Sequence, residues 1–583
     1  MKRNLAFVLV LLFVLALFAG CGSKNDTAAD NGTNNDAAVT DNNGSNAEAE
    51  VTETPEAEED SPYKFAKGFK TDANGIATEK YVYELPLTTT DETFSYWMTN
   101  FTPEYLPEEG FGATELPMEV ERRTGVKIDY VVVASASRAE NFSVLAASDE
   151  LCDITCNANF FYTGNFRDSV ETDEFFVNIY DYRQYMPNYM YEATRDPNDI
   201  DTIRSIFTED DLVLAVYELK KEGQLTSGGF MRGDWLAKMG KTYTDIVTFD
   251  DLHEVLMFFK SQLGIASPTS IYKTINVVGC NEWVGYDTYA LCSGVPQSVV
   301  IDGQVRLANM TDNDCDLMTM INQWYNDGII DPNWSSYTGC ADLNDKIKSS
   351  EVGYIIAGGI SIGAHDDVIP ADATVGWVPV AMPLREEGQT LHLGFNLPRV
   401  YWGSASISTK CENIPLVCTW LDWRYGDEGS FLYGYGVEGV SYEYDEDGKL
   451  WLKDEIVNHP AYWGMIMCTY SLNHIVEPGL KIDYTVNLKI NAKVPEYLAY
   501  WMSTPHDNAY VFPSGVSYTA DQTSEIAKYG ADVGTYVEEN FMAFVDGSKP
   551  LSDWQNYVDG LYAIGVQNII DIRQEAYDAY ISK

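Results

Sequence analysis

The sequence predicts an α/β fold divided into at least two lobes, and three observations predict it. Strand-like and helix-like stretches alternate along the chain, the order expected when helices cover a sheet. The chain has 583 residues, and the part from about Pro62 onward is longer than one hydrophobic core can serve. Apolar residues make up 45% of the whole chain, the ordinary share for a globular chain, so each lobe can be given a core.

Taken in order, the first element is a leader. Met1-Lys2-Arg3 is a short positive start, Leu5 to Phe18 is almost wholly apolar, and Phe18-Ala19-Gly20-Cys21 closes the segment with small residues before a cysteine. That is the order of a secretory signal peptide, and the apolar run is slightly short for a membrane span of about 20 residues. A cysteine at the cleavage point resembles the lipobox of bacterial lipoproteins, with Phe18 where Leu is usual. The resemblance implies that Cys21 is acylated (palmitate) and becomes the mature N-terminus. Residues 22–60 are rich in Asn, Asp, Ala, Thr, Gly and Glu, with no aromatic residue and a single basic residue, Lys24. Such a segment buries too little apolar surface to offset its ordering entropy. As a flexible tether of about 40 residues it has a reach of about 35 Å. No later segment has a long uncharged apolar run, so no other membrane crossing is expected.

Beyond the tether, Val126-Lys127-Ile128-Asp129-Tyr130-Val131-Val132 alternates at period two and predicts a strand. Leu252, Val255, Leu256 and Phe259 share one face of a predicted helix, with Thr248 as its N-cap. Leu317, Met318, Ile321, Trp324 and Tyr325 predict another helix, stopped by Gly328 and Pro332. The acids of Asp312-Asn313-Asp314-Cys315-Asp316 have the look of a calcium loop, but Leu317 stands where Gly is needed and Gln323 where Glu is needed. They are read instead as opening the helix that follows, where negative charge is favourable. Asp445-Glu446-Asp447-Gly448-Lys449 reads as a hairpin turn with Gly448 at positive φ. Val537, Phe541, Phe544 and Val545 predict a helix near the C-terminus.

Composition narrows the partners. With 38 Lys and Arg against 88 Asp and Glu, the formal charge is −50. A surface this negative repels nucleic acid and anionic lipid and favours a neutral or cationic ligand. Ten cysteines are present; without Cys21 an odd number remains, scattered from Cys152 to Cys468, several inside apolar runs. Most are expected to be free and buried. Tyr, with 39 copies, is the commonest aromatic. A ring with a flat apolar face and a polar edge suits core packing and equally suits a sugar. No His-Glu-x-x-His and no phosphate loop with a following Lys-Ser or Lys-Thr occurs. Neither a metal nor a cofactor is expected. Carboxylates are too abundant for sequence to exclude a glycosidase pair.

Three stretches together resemble the large lipid-anchored branch of the family 1 extracellular solute-binding proteins of carbohydrate ABC importers. The first is Glu121-Arg122-Arg123-Thr124-Gly125-Val126-Lys127-Ile128 with Leu145-Ala146-Ala147-Ser148-Asp149-Glu150-Leu151-Cys152-Asp153-Ile154, which has Cys152 where the family has Pro. The second is Phe230-Met231-Arg232-Gly233-Asp234-Trp235-Leu236-Ala237-Lys238-Met239-Gly240 followed by Thr248-Phe249-Asp250-Asp251-Leu252. The third is Tyr433-Gly434-Tyr435-Gly436-Val437-Glu438-Gly439-Val440-Ser441-Tyr442, with Gln574-Glu575-Ala576-Tyr577 near the C-terminus. The resemblance implies a two-lobed, periplasmic-binding-protein-like α/β fold of type II, with a hinge and an interlobe ligand cleft. It places residues 62–215 and 375–425 in the N-terminal lobe, and 216–374 and 426–583 in the C-terminal lobe.

It also implies a function: a non-enzymatic, monomeric binding protein outside the cytoplasmic membrane, held in the bilayer by acylated Cys21. Such a protein passes an oligosaccharide to ABC permease subunits. Two alternatives stay open, an oligopeptide-binding lipoprotein and a surface carbohydrate-active enzyme. Loops after strands face the ligand in this fold. Candidate ligand contacts are therefore Asn157, Asn159 and Tyr162 after one strand, and Glu282 and Trp283 after another, where the family has an aromatic platform. Trp97 at the end of the first strand, Trp402, and Arg232 complete the set. Each ring could equally be packed in a core, and Arg232 could simply pair with Asp234.

Overall fold

The computed structural model describes residues 61–208, 211–221, 227–273, 276–277, 280–281, 284–288, 296–358, 368–393, 398–460, 463–472, 477–482, 487–488 and 494–582. The leader, Cys21 and the tether through residue 60 lie outside the described residues, as do Glu282 and Trp283. No helix among the described residues is long and apolar enough to cross a membrane.

Nine strands build the two larger sheets. They are β1 (Thr93–Thr99), β2 (Lys127–Val133), β3 (Ile154–Cys156), β4 (Val216–Lys220), β5 (Ser227–Arg232), β6 (Tyr354–Gly358), β7 (Trp377–Val380), β8 (Val400–Ile407) and β9 (Leu480–Lys481). The first sheet has the order β9-β4-β8-β3-β1-β2 and the second β6-β5-β7. In the first, β1 pairs in parallel with both β2 and β3, while β8 runs antiparallel to β3 and β4. Phe94, Tyr96 and Met98 of β1 are buried on one face and Trp97 on the other, the mark of a strand covered on both sides. The strand expected over 126–132 appears one residue later, as β2.

The helices that position the cleft are α1 (Glu115–Thr124), α2 (Arg138–Ser148), α3 (Ile200–Ile206), α4 (Phe249–Leu263), α5 (Asp312–Asn326), α6 (Ile414–Trp423), α7 (Asp427–Tyr435), α8 (Val494–Trp501), α9 (Ala520–Val545) and α10 (Val566–Ser582). Their starts follow the sequence signals. Thr248 and Asp251 form a reciprocal capping box on α4, and Leu252, Val255, Leu256 and Phe259 are its buried face. On α5, Thr311 is the N-cap, and Asp314 accepts hydrogen bonds from the backbone of Thr311 (2.6 Å) and Met310 (2.9 Å). The acids there open a helix, as expected. On α9, Val537, Phe541, Phe544 and Val545 are all buried. Gly448 has φ 76° in the turn between Tyr442–Tyr444 and Leu450–Leu452.

Two large cores divide the chain, and they divide it differently from the expected boundaries. The first core gathers residues from Ala66 to Leu219, then Ala405 to Tyr433, Cys468, Leu472 and Leu480. The second gathers Phe230 to Leu393 and Tyr497 to Ile569. The β7 segment thus belongs to the second lobe, because Val378 pairs with Met231 on β5. Helix α7 belongs to the first, because Leu432 and Tyr433 are buried against its core. Among the described residues the chain changes lobe three times: between β4 and β5, between β7 and β8, and between β9 and α8, which packs on β5 and β7. At the second crossing β8 needs Gly403, since a Cβ there would lie 2.6 Å from the backbone N and O of Glu477.

Six described cysteines are in no disulfide, and Cys156, Cys411, Cys418 and Cys468 among them are buried. Two buried carboxyls set an expected pH dependence. Asp422 takes hydrogen bonds from the Tyr83 hydroxyl (2.7 Å) and the backbone of Asn188 (3.1 Å) and Tyr189 (2.6 Å). Burial outweighs those donors and pushes its carboxyl up to about 7. Burial likewise pushes Asp314 up to about 6. Both folded values exceed the ordinary 3.8, so the folded state binds more protons. The stability they contribute is fully present below the ordinary value and is lost as pH rises through 6 and 7. Self-repulsion at −50 acts in the same direction. The melting temperature is expected to be several degrees higher at pH 5.5 than at pH 8; a rise across that interval would contradict the assignment.

Candidate ligand cleft

The site begins where β3 ends. Asn157 sits at φ 55°, a left-handed position that Asn tolerates, and turns the chain into the short helix Ala158–Phe161. Its N–H donates to the Ser404 carbonyl (2.8 Å), and its Oδ1 accepts from the Ser404 N–H (2.9 Å). Asn157 is therefore a buried clamp between β3 and β8. Two residues on, Asn159 Oδ1 accepts from Ser404 Oγ (2.6 Å), and Phe160 stands 54% exposed.

Asn159 and Phe160 form one edge of a cleft of about 730 Å³ between the lobes. Asn165, Phe166 and Arg167 continue that edge, and Arg204, Ser205 and Thr208 come from α3 and the residues after it. Tyr217 on β4, with Val400 and Tyr401 on β8, form the wall at the hinge. The second lobe supplies Ser514 to Thr519 with Gln522, and Glu575, Ala576, Ala579 and Tyr580 of α10. The volume lies within the range of about 300–1,000 Å³ usual for small-molecule sites.

Cations in and around this cleft are held against rings and carboxylates. The Tyr401 ring has the Lys220 and Lys481 ammonium groups each 4.2 Å from its centre. Lys481 in turn lies 3.2 Å from Glu218. Glu218 also accepts from the Gly403 N–H (3.0 Å), and burial raises its carboxyl above the usual range despite those partners. Arg204 stacks 4.5 Å from the Tyr580 ring, and Arg167 pairs with Glu171. Aromatic faces beside amide and hydroxyl groups can hold an apolar ring face and the polar rim around it. Glu575 is the one carboxylate among the described lining residues.

The residues expected from sequence divide between this cleft and its supports. Asn159 lines it and Asn157 anchors the turn behind it. Trp97 is 1% exposed, donates through its ring N–H to Asn141 (2.7 Å), and packs edge-on against Phe142 and Phe161. It supports the cleft loop from beneath. Tyr162 donates its hydroxyl to Asp173 (2.5 Å), which helps raise the phenol well above its ordinary value after burial. Arg232, 2% exposed, is forked onto Asp234 (2.6 and 2.7 Å), bonds Ser350 (3.2 Å), and stacks on Trp235. It pins the end of β5. Trp402 lies on β8, and its side chain is outside the described residues. Sequence reasoning missed Phe160, Phe166, Tyr217, Tyr401, Tyr518 and Tyr580. The signal available was adjacency, since Phe160 follows Asn159 and Tyr401 precedes Trp402.

Two cores, three crossings and a lined cleft between them are a shape with solved counterparts. The chain is similar to an extracellular solute-binding protein from Bifidobacterium longum subsp. infantis (TM-score 0.66, 16% identity, covering 85% of this chain and 100% of that one). It is the fold of the two-lobed, periplasmic-binding-protein-like solute-binding proteins. A second protein with this solute-binding fold is the HMO-binding, ABC-transporter-associated protein from Bifidobacterium longum infantis ATCC 15697 (TM-score 0.64, 14% identity, 84% and 99% covered). A third is the alginate-binding protein AlgQ2, solved without calcium ion (TM-score 0.57, 21% identity, 84% and 99% covered). No family model and no curated protein matches the chain in sequence, so the likeness is one of fold.

Proposed function

We propose that this chain is a lipid-anchored substrate-binding protein of an ABC importer. It captures an oligosaccharide between its lobes and delivers it, unchanged, to membrane permease subunits. The observation that carries this reading is the interlobe cleft, where Phe160, Phe166, Tyr217 and Tyr401 stand beside Asn159 and Asn165. Rings supply stacking faces, and amides supply the paired donors and acceptors that sugar hydroxyls need. The fold gives the mechanism its moving part, since ligand bound between two hinged lobes favours closure in proportion to its extra affinity for the closed form. Three relatives in fold point the same way by name: the HMO-binding and alginate-binding proteins, and Streptococcus pneumoniae FusA in complex with kestose (TM-score 0.59). The leader and Cys21 supply the anchor. Pro62 is bonded into the first lobe, where its carbonyl accepts from the Thr89 N–H (3.1 Å). Ligand-facing residues in this reading are Asn159 and the four rings, with Asn157, Tyr162, Trp97 and Arg232 holding the walls.

The test is binding of fluorescent neutral glycans, acidic glycans and peptides to membranes of cells producing the full chain, beside the Cys21→Ser chain. Saturable binding to one glycan class is expected, on the membrane for the natural chain and in the medium for Cys21→Ser. Competition by peptides instead would overturn the cargo, and membrane retention of Cys21→Ser would overturn the anchor.

A further inference from the structure

One contact joins the lobes directly at the rim of the cleft. Asp201, in the first turn of α3, accepts hydrogen bonds from the Gly515 N–H (2.7 Å), the Ser514 hydroxyl and the Tyr580 hydroxyl (3.4 Å). Arg204 of the same helix stacks on the Tyr580 ring. The fit is close: a Cβ on Gly515 would meet Ser205 Oγ at 3.0 Å, Ser205 N at 3.1 Å and the Tyr580 ring at 3.1 Å. The two sides belong to different lobes. Ile206 of α3 is part of the first core, whereas Val566 and Ile569 of α10 are part of the second. Tyr580 packs with Val516 and Ala576 in a small cluster of their own.

We propose that Asp201 is a positioning residue that latches the lobes together before any ligand arrives. A carboxylate with three donors makes charge-assisted hydrogen bonds, the stronger kind. All three donors come from the other lobe, so opening the cleft breaks them and leaves both cores intact. The latch therefore raises the population of the closed form, and with it the apparent affinity for whatever the cleft holds, since a ligand pays for the fraction of molecules not yet competent. Asp201 acts through lobe geometry. The inference stands on the two-lobed fold and is independent of the cargo.

The test measures interlobe distance without ligand. Spin labels are placed on the full chain at two exposed positions, Val144 on α2 and Val247 just before α4, through noncanonical residues so that native cysteines are untouched. A single narrow distance is expected for the natural latch. Asp201→Ala should lengthen and broaden the distribution, while Asp201→Asn, which keeps an acceptor for Gly515 N–H, should stay close to the natural one. A loss of fold stability alone would lower the melting temperature without moving this distance. Should Asp201→Ala fail to fold, Ser514→Ala removes one donor from an exposed position and should shift the distance in the same direction. Superimposable distributions for the variant and the natural chain overturn the latch, as does a broad distribution in the natural chain.

Discussion

Arg424→Ala is expected to destabilise the chain by about 3–5 kcal/mol, the usual cost of stripping one partner from a buried ion pair. Arg424 is 0% exposed. Its Nη1 lies 3.6 Å from Glu477 Oε2 and donates to the Pro478 carbonyl (3.4 Å). The guanidinium also stacks between rings, 4.2 Å from Trp420 and 4.4 Å from Tyr433. Glu477 takes the Tyr96 hydroxyl as well, but burial dominates and raises its carboxyl above the usual range. Alanine would leave that carboxyl buried without its cation, and would leave a cavity among three aromatic rings. The position adds to the effect, because Glu477 and Pro478 lead into β9, the third crossing between lobes. Urea unfolding of the variant measures the loss. The double variant Arg424→Met with Glu477→Gln should recover much of it, since a neutral pair of similar volume carries no buried charge. A loss under about 1 kcal/mol for Arg424→Ala, the scale of an exposed pair, would show that the cation contributes little to the core.

Phe160→Ala is expected to weaken glycan binding about 10- to 100-fold, corresponding to about 1.4–2.8 kcal/mol at an aromatic anchor. Phe160 is the most direct test of the cleft because more than half of its surface is already exposed. Its removal costs the fold little, so the melting temperature should stay within about 2 °C, the scale of a surface change. Tyr401→Ala should weaken binding by a similar factor. It should also remove the ring that Lys220 and Lys481 both contact, adding a salt dependence that Phe160→Ala lacks. Tyr401→Phe keeps the ring and should bind as the natural chain does. Isothermal titration of each variant with the glycan identified by the binding screen decides the matter. Unchanged affinity in both alanine variants would place the cargo elsewhere between the lobes.

Much of the local structure was legible because local chemistry sets it. Thr248 and Asp251 cap α4 through bonds that span three residues, and Gly448 makes its turn through its own φ. The helix faces of α4, α5 and α9 follow from apolar spacing alone, and the α/β class follows from alternation. The cleft was legible only in part. Asn157 and Asn159 stood where a loop after a strand was expected, but Asn157 turned inward to Ser404, a partner that no local pattern names. Trp97 stood as a candidate ligand contact, yet β1 is covered on both faces, so its ring became support. Arg232 reads the same in sequence whether it meets a ligand or Asp234.

What the sequence determined by itself is the class of fold, several helix starts and faces, and the acidic composition. These depend on interactions within a few residues, or on composition. Only the tertiary structure decided that β7 pairs with β5 and so belongs to the second lobe. It also decided that α10 returns across the cleft to meet α3, and that Phe160 lines the cleft rather than a core. Those contacts join residues far apart in the chain, from 145 positions for Arg232 and Trp377 to more than 300 for Asp201 and Gly515. Their free energy comes from burial and hydrogen bonds that exist only once both lobes have formed, so no window of sequence contains the information.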